Sequence, residues 1–351
     1  MKRAEELARL ANPHPNPRVG AVVLDAHGNA VGEGYHTALG RPHAEIEALT
    51  IAGELARGGT LVVTLEPCNH FGRTPPCTLA VIDAGIERVV AGAVDPDPRV
   101  GGEGISRLRS AGVAVEMGIG EGEAIDPAYF HHRRTGRPLV ILKLAATLDG
   151  QTAAADGSSQ WITSEASRTD AHRLRAEADA VVIGAGTLRT DDPSLDVRLP
   201  GFTGPGPRPV VVAGRRPLPT AARLWARDPM IVATDNSAHR SLGGAKYGEM
   251  LSVPPDAAGL PDLAATVGLL GEAGMLGLLV EGGPTLAGTL LRAGLVDQGI
   301  LYFGSRLAGG VGRPLFDTPF PTLDAAISIT IERTMPLDTD LRVDFRVHRN
   351  H

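Results

Sequence analysis

Cysteine is nearly absent: the 351 residues contain only Cys68 and Cys77. Two cysteines cannot build a disulfide-rich secreted scaffold. No stretch approaches the ~18 consecutive apolar residues of a membrane helix. The opening residues Met1-Lys2-Arg3-Ala4-Glu5-Glu6-Leu7 mix charges and lack the apolar core of a secretory signal. These absences point to a cytoplasmic chain with reduced thiols and no membrane partner. An excess of basic residues is missing too, since the formal net charge is −6. That balance argues against a large nucleic-acid partner. It leaves room for a small anionic substrate held by a few Arg or Lys side chains. Glycine and proline, 44 and 27 residues, stay below the roughly 25–30% typical of disordered chains.

What remains is an ordinary globular composition, 43% hydrophobic and 21% charged. Its length suits two domains at about 150 residues each. Residues 1–136 alternate helix and strand. An amphipathic helix at 1–10 is broken by Asn12-Pro13-His14-Pro15-Asn16-Pro17. Strands at 19–24 and 30–35 flank the turn His27-Gly28-Asn29. Pro42 opens a helix that runs to about residue 57. A strand at 60–65, a helix at 77–84, a strand at 88–94, a helix near 105–111 and a strand at 113–117 follow. Segment 126–136 reads as a helix end, and Arg133-Arg134-Thr135-Gly136-Arg137-Pro138 as a junction.

The second half starts with a strand at 139–146 and a helix at 165–177. Strands at 180–184, 209–213 and 230–234, a helix at 262–272, a strand at 278–281 and a helix at 285–293 follow. Strands near Ile300 and Leu341 close it. Residues 201–209 read as a surface loop, and 236–259 are poorly specified. No repeat links the halves. The pattern is two layered α/β domains, 1–136 and 137–351.

Both cysteines fall near a histidine and a glutamate. Pro42-His43-Ala44-Glu45 supplies His43 and Glu45, and Leu65-Glu66-Pro67 leads into Cys68. One imidazole and two thiolates make a three-ligand zinc site whose fourth position is open to water. His43 is expected in the first turn of its helix, Cys68 just after a strand and Cys77 at a helix start. A helix N-terminus favours a thiolate. Glu45 stands two residues from His43, free to move the protons of a bound water. Residues alone leave other readings open: buried thiols, or a closed structural zinc site completed by His70 or His36. The order His-x-Glu, then Pro-Cys, is that of zinc-dependent base deaminases. The spacing departs from it, because eight residues rather than two separate the cysteines.

With its long Glu66–Cys77 loop, Glu-Pro-Cys-Asn-His-Phe-Gly-Arg-Thr-Pro-Pro-Cys, the chain resembles the bifunctional riboflavin-biosynthesis deaminase/reductase family. The same family carries an HPNPxVG segment, here His14 to Gly20, and a glycine-rich segment before HAE, here Gly32-Glu33-Gly34-Tyr35-His36. The resemblance implies zinc held by His43, Cys68 and Cys77, with Glu45 as proton shuttle. It implies Asn16 against the pyrimidine. His70, Arg73 and the Asp95-Pro96-Asp97-Pro98 turn would line the outer substrate pocket, where the residues themselves read equally as turn formers and solvated charges.

In the second half no full Rossmann fingerprint appears. Gly184-Ala185-Gly186 lacks the third glycine and reads as a strand-end turn. Glu281-Gly282-Gly283-Pro284-Thr285 offers a tight turn into a helix N-terminus, suited to an anion. Lys143 lies in an otherwise apolar strand, either aimed into a pocket or guarding a sheet edge.

The family resemblance extends here through Lys143 to Gly150, Ser159 to Ser164, Thr187 to Pro193 and Val280 to Thr285. It implies a dihydrofolate-reductase-like α/β domain behind a cytidine-deaminase-like α/β/α sandwich, with NADPH as cofactor. Ala145, Trp161, Thr187, Asp191, Gly214 and Gly283-Pro284-Thr285-Leu286-Ala287-Gly288-Thr289 would touch NADPH. Lys143, Ser159, Leu195, Arg198 and Glu281 would meet the substrate, Arg198 pairing two phosphate oxygens. Two departures, Gly214 and Ser305-Arg306-Leu307-Ala308-Gly309-Gly310, remove no obvious reacting group. The implied substrate is a small phosphorylated pyrimidine, diaminohydroxyphosphoribosylaminopyrimidine, and a homo-oligomer is expected. Competing classes are a nucleoside or nucleic-acid deaminase with a non-catalytic appendage, and a zinc-stabilised binding protein.

Overall fold

A computed structural model describes residues 1–351 except 73, 74, 99, 235–246, 318 and 349–351. Contacts divide the chain into two compact units, Met1–Arg137 and Pro138–His351.

The first unit is built on five strands: β1 (Gly20–Leu24), β2 (Ala30–Tyr35), β3 (Thr60–Leu65), β4 (Arg88–Ala93) and β5 (Ala114–Met117). Their order is β2-β1-β3-β4-β5. β1 is antiparallel to both neighbours, whereas β3, β4 and β5 are parallel. Successive strand residues face opposite sides of a sheet. Unbroken burial from Gly20 to Val23 and from Leu61 to Leu65 therefore means that both faces are covered. The helices are α1 (Lys2–Ala8), α2 (Ala44–Ala52), α3 (Cys77–Asp83), α4 (Glu103–Ser110) and α5 (Pro127–Thr135).

Two glycines of β2 set the position of α2. A Cβ on Gly34 would lie 2.4 Å from the Ala44 carbonyl oxygen, and one on Gly32 would lie 2.1 Å from that of Ala48. No side chain fits there, so the helix backbone rests directly on the strand.

Two local expectations need correction. His43 is the N-cap of α2, with extended backbone, rather than part of its first turn. Residues 126–136 form a complete helix, not a helix end. Asp126 caps it by accepting from the Tyr129 N–H at 3.1 Å, Pro127 occupies its first turn, and Gly136 ends it in the left-handed region. A capping aspartate before proline is a start signal, which the following basic run obscured.

The second unit contains β6 (Leu139–Thr147), β7 (Gln151–Ala153), α6 (Glu165–Glu177), β8 (Ala180–Gly184), α7 (Ala185–Asp191), β9 (Arg208–Val212), β10 (Met230–Ala233) and β11 (Glu249–Ser252). It continues with α8 (Leu263–Glu272), β12 (Gly277–Val280), α9 (Pro284–Arg292), β13 (Gln298–Gly304), β14 (Arg313–Pro314), β15 (Ile329–Leu337) and β16 (Asp340–Val347). Nine strands form one sheet, β11-β10-β9-β8-β12-β6-β13-β16-β15. It is parallel from β11 to β13 and antiparallel across β13, β16 and β15.

Alternate residues feed two cores. Val140, Leu142, Val182, Val210, Val232 and Leu278 lie in one. Val181, Ile183, Val211, Ile231 and Leu279 lie in the other. Each such fully buried side chain contributes roughly 1.5–3 kcal/mol, so period-two patterning fixes the sheet's register. Five elements go beyond the sequence reading: α7, where a simple turn is expected; β11, inside the poorly specified stretch; β15; and the short paired strands β7 and β14. The rest of that stretch up to residue 246 lies outside the described residues.

Candidate active sites

In the first unit, α2, the loop after β3 and the start of α3 converge. His43 Nδ1 lies 3.2 Å from Cys77 Sγ and 3.6 Å from Cys68 Sγ, and the three ligand atoms fall within 4.8 Å of one another. With Zn–N of about 2.1 Å and Zn–S of about 2.3 Å, tetrahedral zinc separates its N and S ligands by about 3.6 Å. The donor set and its spacing fit a zinc ion. Among the described residues no fourth His, Cys, Asp or Glu joins the cluster. His36 is committed elsewhere: its Nδ1 meets the Pro42 carbonyl at 3.0 Å and its Nε2 meets Asn16 Nδ2 at 2.9 Å. His70 is exposed on the cavity wall.

Glu45 is buried beside these groups and interacts with the Cys77 thiol. Burial, then the charge of Cys68, pushes its carboxyl up to about 7. A cation in the cluster would pull it back down. The Cys68 thiol is held far below its ordinary range by a hydrogen bond from Cys77 and by His43. The Cys77 backbone N–H also points at Cys68 Sγ, 3.5 Å away.

A cavity of about 610 Å³ opens from this cluster, and Asn16, His70 and Asp95 line it with His43, Glu45 and Cys68. Arg73 lies outside the described residues. Asp97 of the expected turn also lines it, and tertiary structure adds Arg41, Tyr129 and Arg133 to the wall. Two buried carboxylates brace it. Asp126 accepts from His14 Nε2 at 3.0 Å and from the Arg18 N–H at 2.9 Å, tying the Asn16 segment to α5. Glu66 accepts the backbone N–H groups of Asp95, Gly102 and Ile105, tying the loop that bears Cys68 to the Asp95 turn.

In the second unit the expected residues gather at the carboxyl ends of parallel strands, where ligands of open α/β sheets bind. Lys143 and Ala145 lie on β6, Glu281 follows β12, Gly214 follows β9, and Gly184 ends β8. The register pairs Val280 with Leu142, which brings Glu281 beside Lys143, and their charged atoms are 3.5 Å apart. Arg175, which sequence reading missed, grips the same carboxylate with two bonds of 2.6 and 3.0 Å. Burial opposes ionisation of Glu281, yet Lys143 and Arg175 hold it down at about 2. Lys143 also sits 5.7 Å from the Tyr302 ring centroid, in the interior of the sheet between β12 and β13. It is therefore not a guard on a sheet edge.

The mouth between β8 and β12 suits a phosphate-bearing cofactor. A Cβ on Gly283 would stand 3.6 Å from Thr187 Oγ1, so α7 and the start of α9 are close neighbours. Gly283 caps α9 without a side-chain bond, leaving first-turn N–H groups for an anion. The Thr285 hydroxyl bonds to Asp317. Trp161 is exposed, with the Arg168 guanidinium 4.5 Å from its ring centroid. Asp191 is exposed at the end of α7, and Ser159 lies in an exposed loop.

Arg198 is exposed and pairs with Asp196 at 3.2 Å. Leu195 is the other residue expected at the substrate. Its side chain is buried in a hydrophobic core, so only its backbone is left for a ligand. That backbone has φ 52°, and its carbonyl accepts from Arg227 at 2.6 Å.

Comparison with known proteins covers both units. The family model described as the cytidine and deoxycytidylate deaminase zinc-binding region matches residues 1–93. The model described as the RibD C-terminal domain matches residues 138–340. The chain is 41% identical over 334 residues to riboflavin biosynthesis protein RibD of Escherichia coli, covering 91% of this chain and 90% of that relative. It is 42% identical over 304 residues to the RibD of Mycobacterium tuberculosis, covering 85% and 81%. Among solved structures, a RibD of Acinetobacter baumannii superposes with TM-score 0.89 at 34% identity, covering 99% of this chain and 98% of that one. A Thermotoga maritima diaminohydroxyphosphoribosylaminopyrimidine deaminase/5-amino-6-(5-phosphoribosylamino)uracil reductase superposes with TM-score 0.87 at 31% identity, covering 99% and 97%.

Proposed function

The chain belongs to the family of bifunctional riboflavin-biosynthesis deaminase/reductases, and on that premise we propose which residues carry each step. It is a bifunctional enzyme of riboflavin biosynthesis, a zinc-dependent deaminase and an NADPH-dependent reductase. The first unit deaminates diaminohydroxyphosphoribosylaminopyrimidine, and the second reduces the ribosyl group of the resulting aminouracil to ribityl.

His43, Cys68 and Cys77 hold zinc, which when bound supplies a water of lowered pKa. Glu45 takes a proton from the attacking water and returns protons to the ring and the departing amine. Water adds its oxygen to the ring carbon and ammonia leaves, so the step balances. Asn16 and Asp95 orient the pyrimidine nucleotide, with His70 and Arg73 towards the outer end. The observation that carries this half is the three-ligand cluster with no fourth protein ligand among the described residues.

NADPH supplies the hydride of the second step. Ala145, Trp161, Thr187, Asp191, Gly214 and residues 283–289 hold it along the strand ends. Lys143, Glu281 and Ser159 face the sugar. Arg198 takes the phosphate, and Leu195 contributes through its backbone alone. No side chain there is an obvious acid, so positioning dominates. Among the described residues no helix is long and apolar enough to cross a membrane. We place the enzyme in the cytoplasm as a homo-oligomer.

The test follows ammonia release and NADPH oxidation separately on the intact chain. Glu45→Gln should cut ammonia release at least about 100-fold, the scale of a lost general base, and leave reduction of supplied aminouracil phosphate intact. Loss of both activities in a folded variant would contradict two separate sites.

A further inference from the structure

The last helix of the first unit reaches into the deamination cavity. The deaminase zinc-binding region ends at residue 93, two positions short of Asp95, and α5 begins at Pro127. Yet α5 sends Tyr129 and Arg133 to the cavity wall. Tyr129 is 3% exposed and Asp95 8% exposed. The Tyr129 hydroxyl donates to Asp95 Oδ1 at 3.1 Å and stands 3.3 Å from Oδ2. The Asp97 N–H donates to the same Oδ1 at 2.9 Å.

Two donors on one oxygen fix the rotation of a carboxylate. Beyond that 3.3 Å contact, Oδ2 keeps lone pairs that no other hydrogen bond among the described residues claims, and Asp95 lines the cavity. That oxygen is suited to accept from an amino or hydroxyl group of a substrate. The helix behind the phenol is itself fixed. Asp126 caps it, and Arg133 donates to the Pro15 carbonyl at 3.1 Å while lying over the Tyr129 ring, 4.9 Å from its centroid.

We propose that Tyr129 is a positioning residue of the deamination site, holding the Asp95 carboxylate so that Oδ2 meets a donor group of the substrate. The proposal rests on Asp95 recognising substrate, as assigned above. It places α5, beyond the zinc-binding region, in the recognition machinery. Burial keeps the phenol protonated and hence a donor. Nothing in this role touches the reacting atoms, so it acts on binding rather than on the chemical step.

Tyr129→Phe removes one hydroxyl and keeps the ring's packing. It should raise KM for deamination about tenfold, the cost of losing a hydrogen bond to a charged group, and leave kcat within about twofold. In an Asp95→Asn background the same substitution should add nothing, because the two residues act as one unit. NADPH oxidation by the same preparation reports that the chain is folded. An unchanged KM, a loss confined to kcat, or penalties that multiply in the double variant would overturn the assignment. If Asp95→Asn alone leaves deamination intact, Asp95 is not a recognition group and the role of Tyr129 falls with it. Glu45→Gln is independent of that outcome, so the deaminase reading stands or falls separately.

Discussion

The two sites distribute their chemistry along the chain in opposite ways. In the first unit three ligand atoms and one carboxylate come from a short stretch, His43 to Cys77, and use both cysteines of the protein. In the second unit, Arg175 and Glu281 are 106 positions apart and meet because α6 packs against β12. The first site depends on atoms that nothing else can replace. The second depends on a shared ionic network and on backbone at strand ends, where neighbours can partly compensate. An all-or-none response should therefore separate from a graded one.

Cys77→Ser is the sharpest test of that contrast. The thiol is fully buried at the start of α3, and its loss leaves His43 and Cys68 as the cluster's ligands among the described residues. Two ligands do not close a zinc site. Zinc measured per chain by atomic absorption should fall to background, and ammonia release should vanish. Reduction of supplied aminouracil phosphate should persist. Full zinc content in the variant would show that another residue completes the site.

Legibility in the sequence follows the same divide. Rare residue types at short spacing picked out the cluster of His43, Cys68 and Cys77, the return after a turn picked out β2, and an apolar run picked out β3, both strands to the residue. Groups whose role comes from tertiary contact could not be read. Glu66, Asp126 and Tyr129 are common residue types whose partners lie on other elements. Arg175 sits in a helix where arginine ordinarily faces water. The resemblance puts Leu195 at the substrate without saying which of its atoms take part, and only the fold shows that its side chain lies in the core, on a backbone with φ 52°. The glycines of β2 could be seen as a motif, but only the closeness of α2 explains them.

Arg175→Met tests the network with an intermediate effect. Glu281 is 9% exposed and Arg175 is 14% exposed. Removing one partner of an isolated buried pair costs about 3–5 kcal/mol, and Lys143, 3.5 Å from the same carboxylate, should offset part of that loss. Glu281 is lowered from an ordinary 4.5 to about 2. A lowered carboxyl contributes stability that is present above its ordinary value and lost as pH falls towards its folded value. Without Arg175, Lys143 alone opposes burial and the Glu281 value rises. The gap between wild type and variant should be widest near neutral pH and narrow from about pH 4.5 towards pH 2. Urea unfolding of the intact chain at pH 7 and pH 3 measures it. A gap that does not change with pH would mean that Arg175 acts through its bond to the Asp196 carbonyl, 3.0 Å away, rather than through Glu281.

The smallest structural effect is expected at Arg198, where function and stability should come apart. Its side chain is 62% exposed, and its ion-pair partner Asp196 is 38% exposed. Exposed pairs of this kind contribute little to stability. Its loop is held by other means. The Arg198 backbone N–H donates to His172 Nδ1 at 3.3 Å, and Arg227 grips the Leu195 carbonyl. Neither bond needs the Arg198 side chain. Arg198→Ala should therefore change unfolding free energy by no more than about 0.5 kcal/mol. KM for the phosphorylated reductase substrate should rise about tenfold while kcat holds, the signature of lost uniform binding. Arg198→Lys should recover only part of that loss, because an ammonium cannot pair two phosphate oxygens in one plane. An unchanged KM in both variants would make Arg198 an ordinary surface residue and move phosphate recognition to another group at the strand ends.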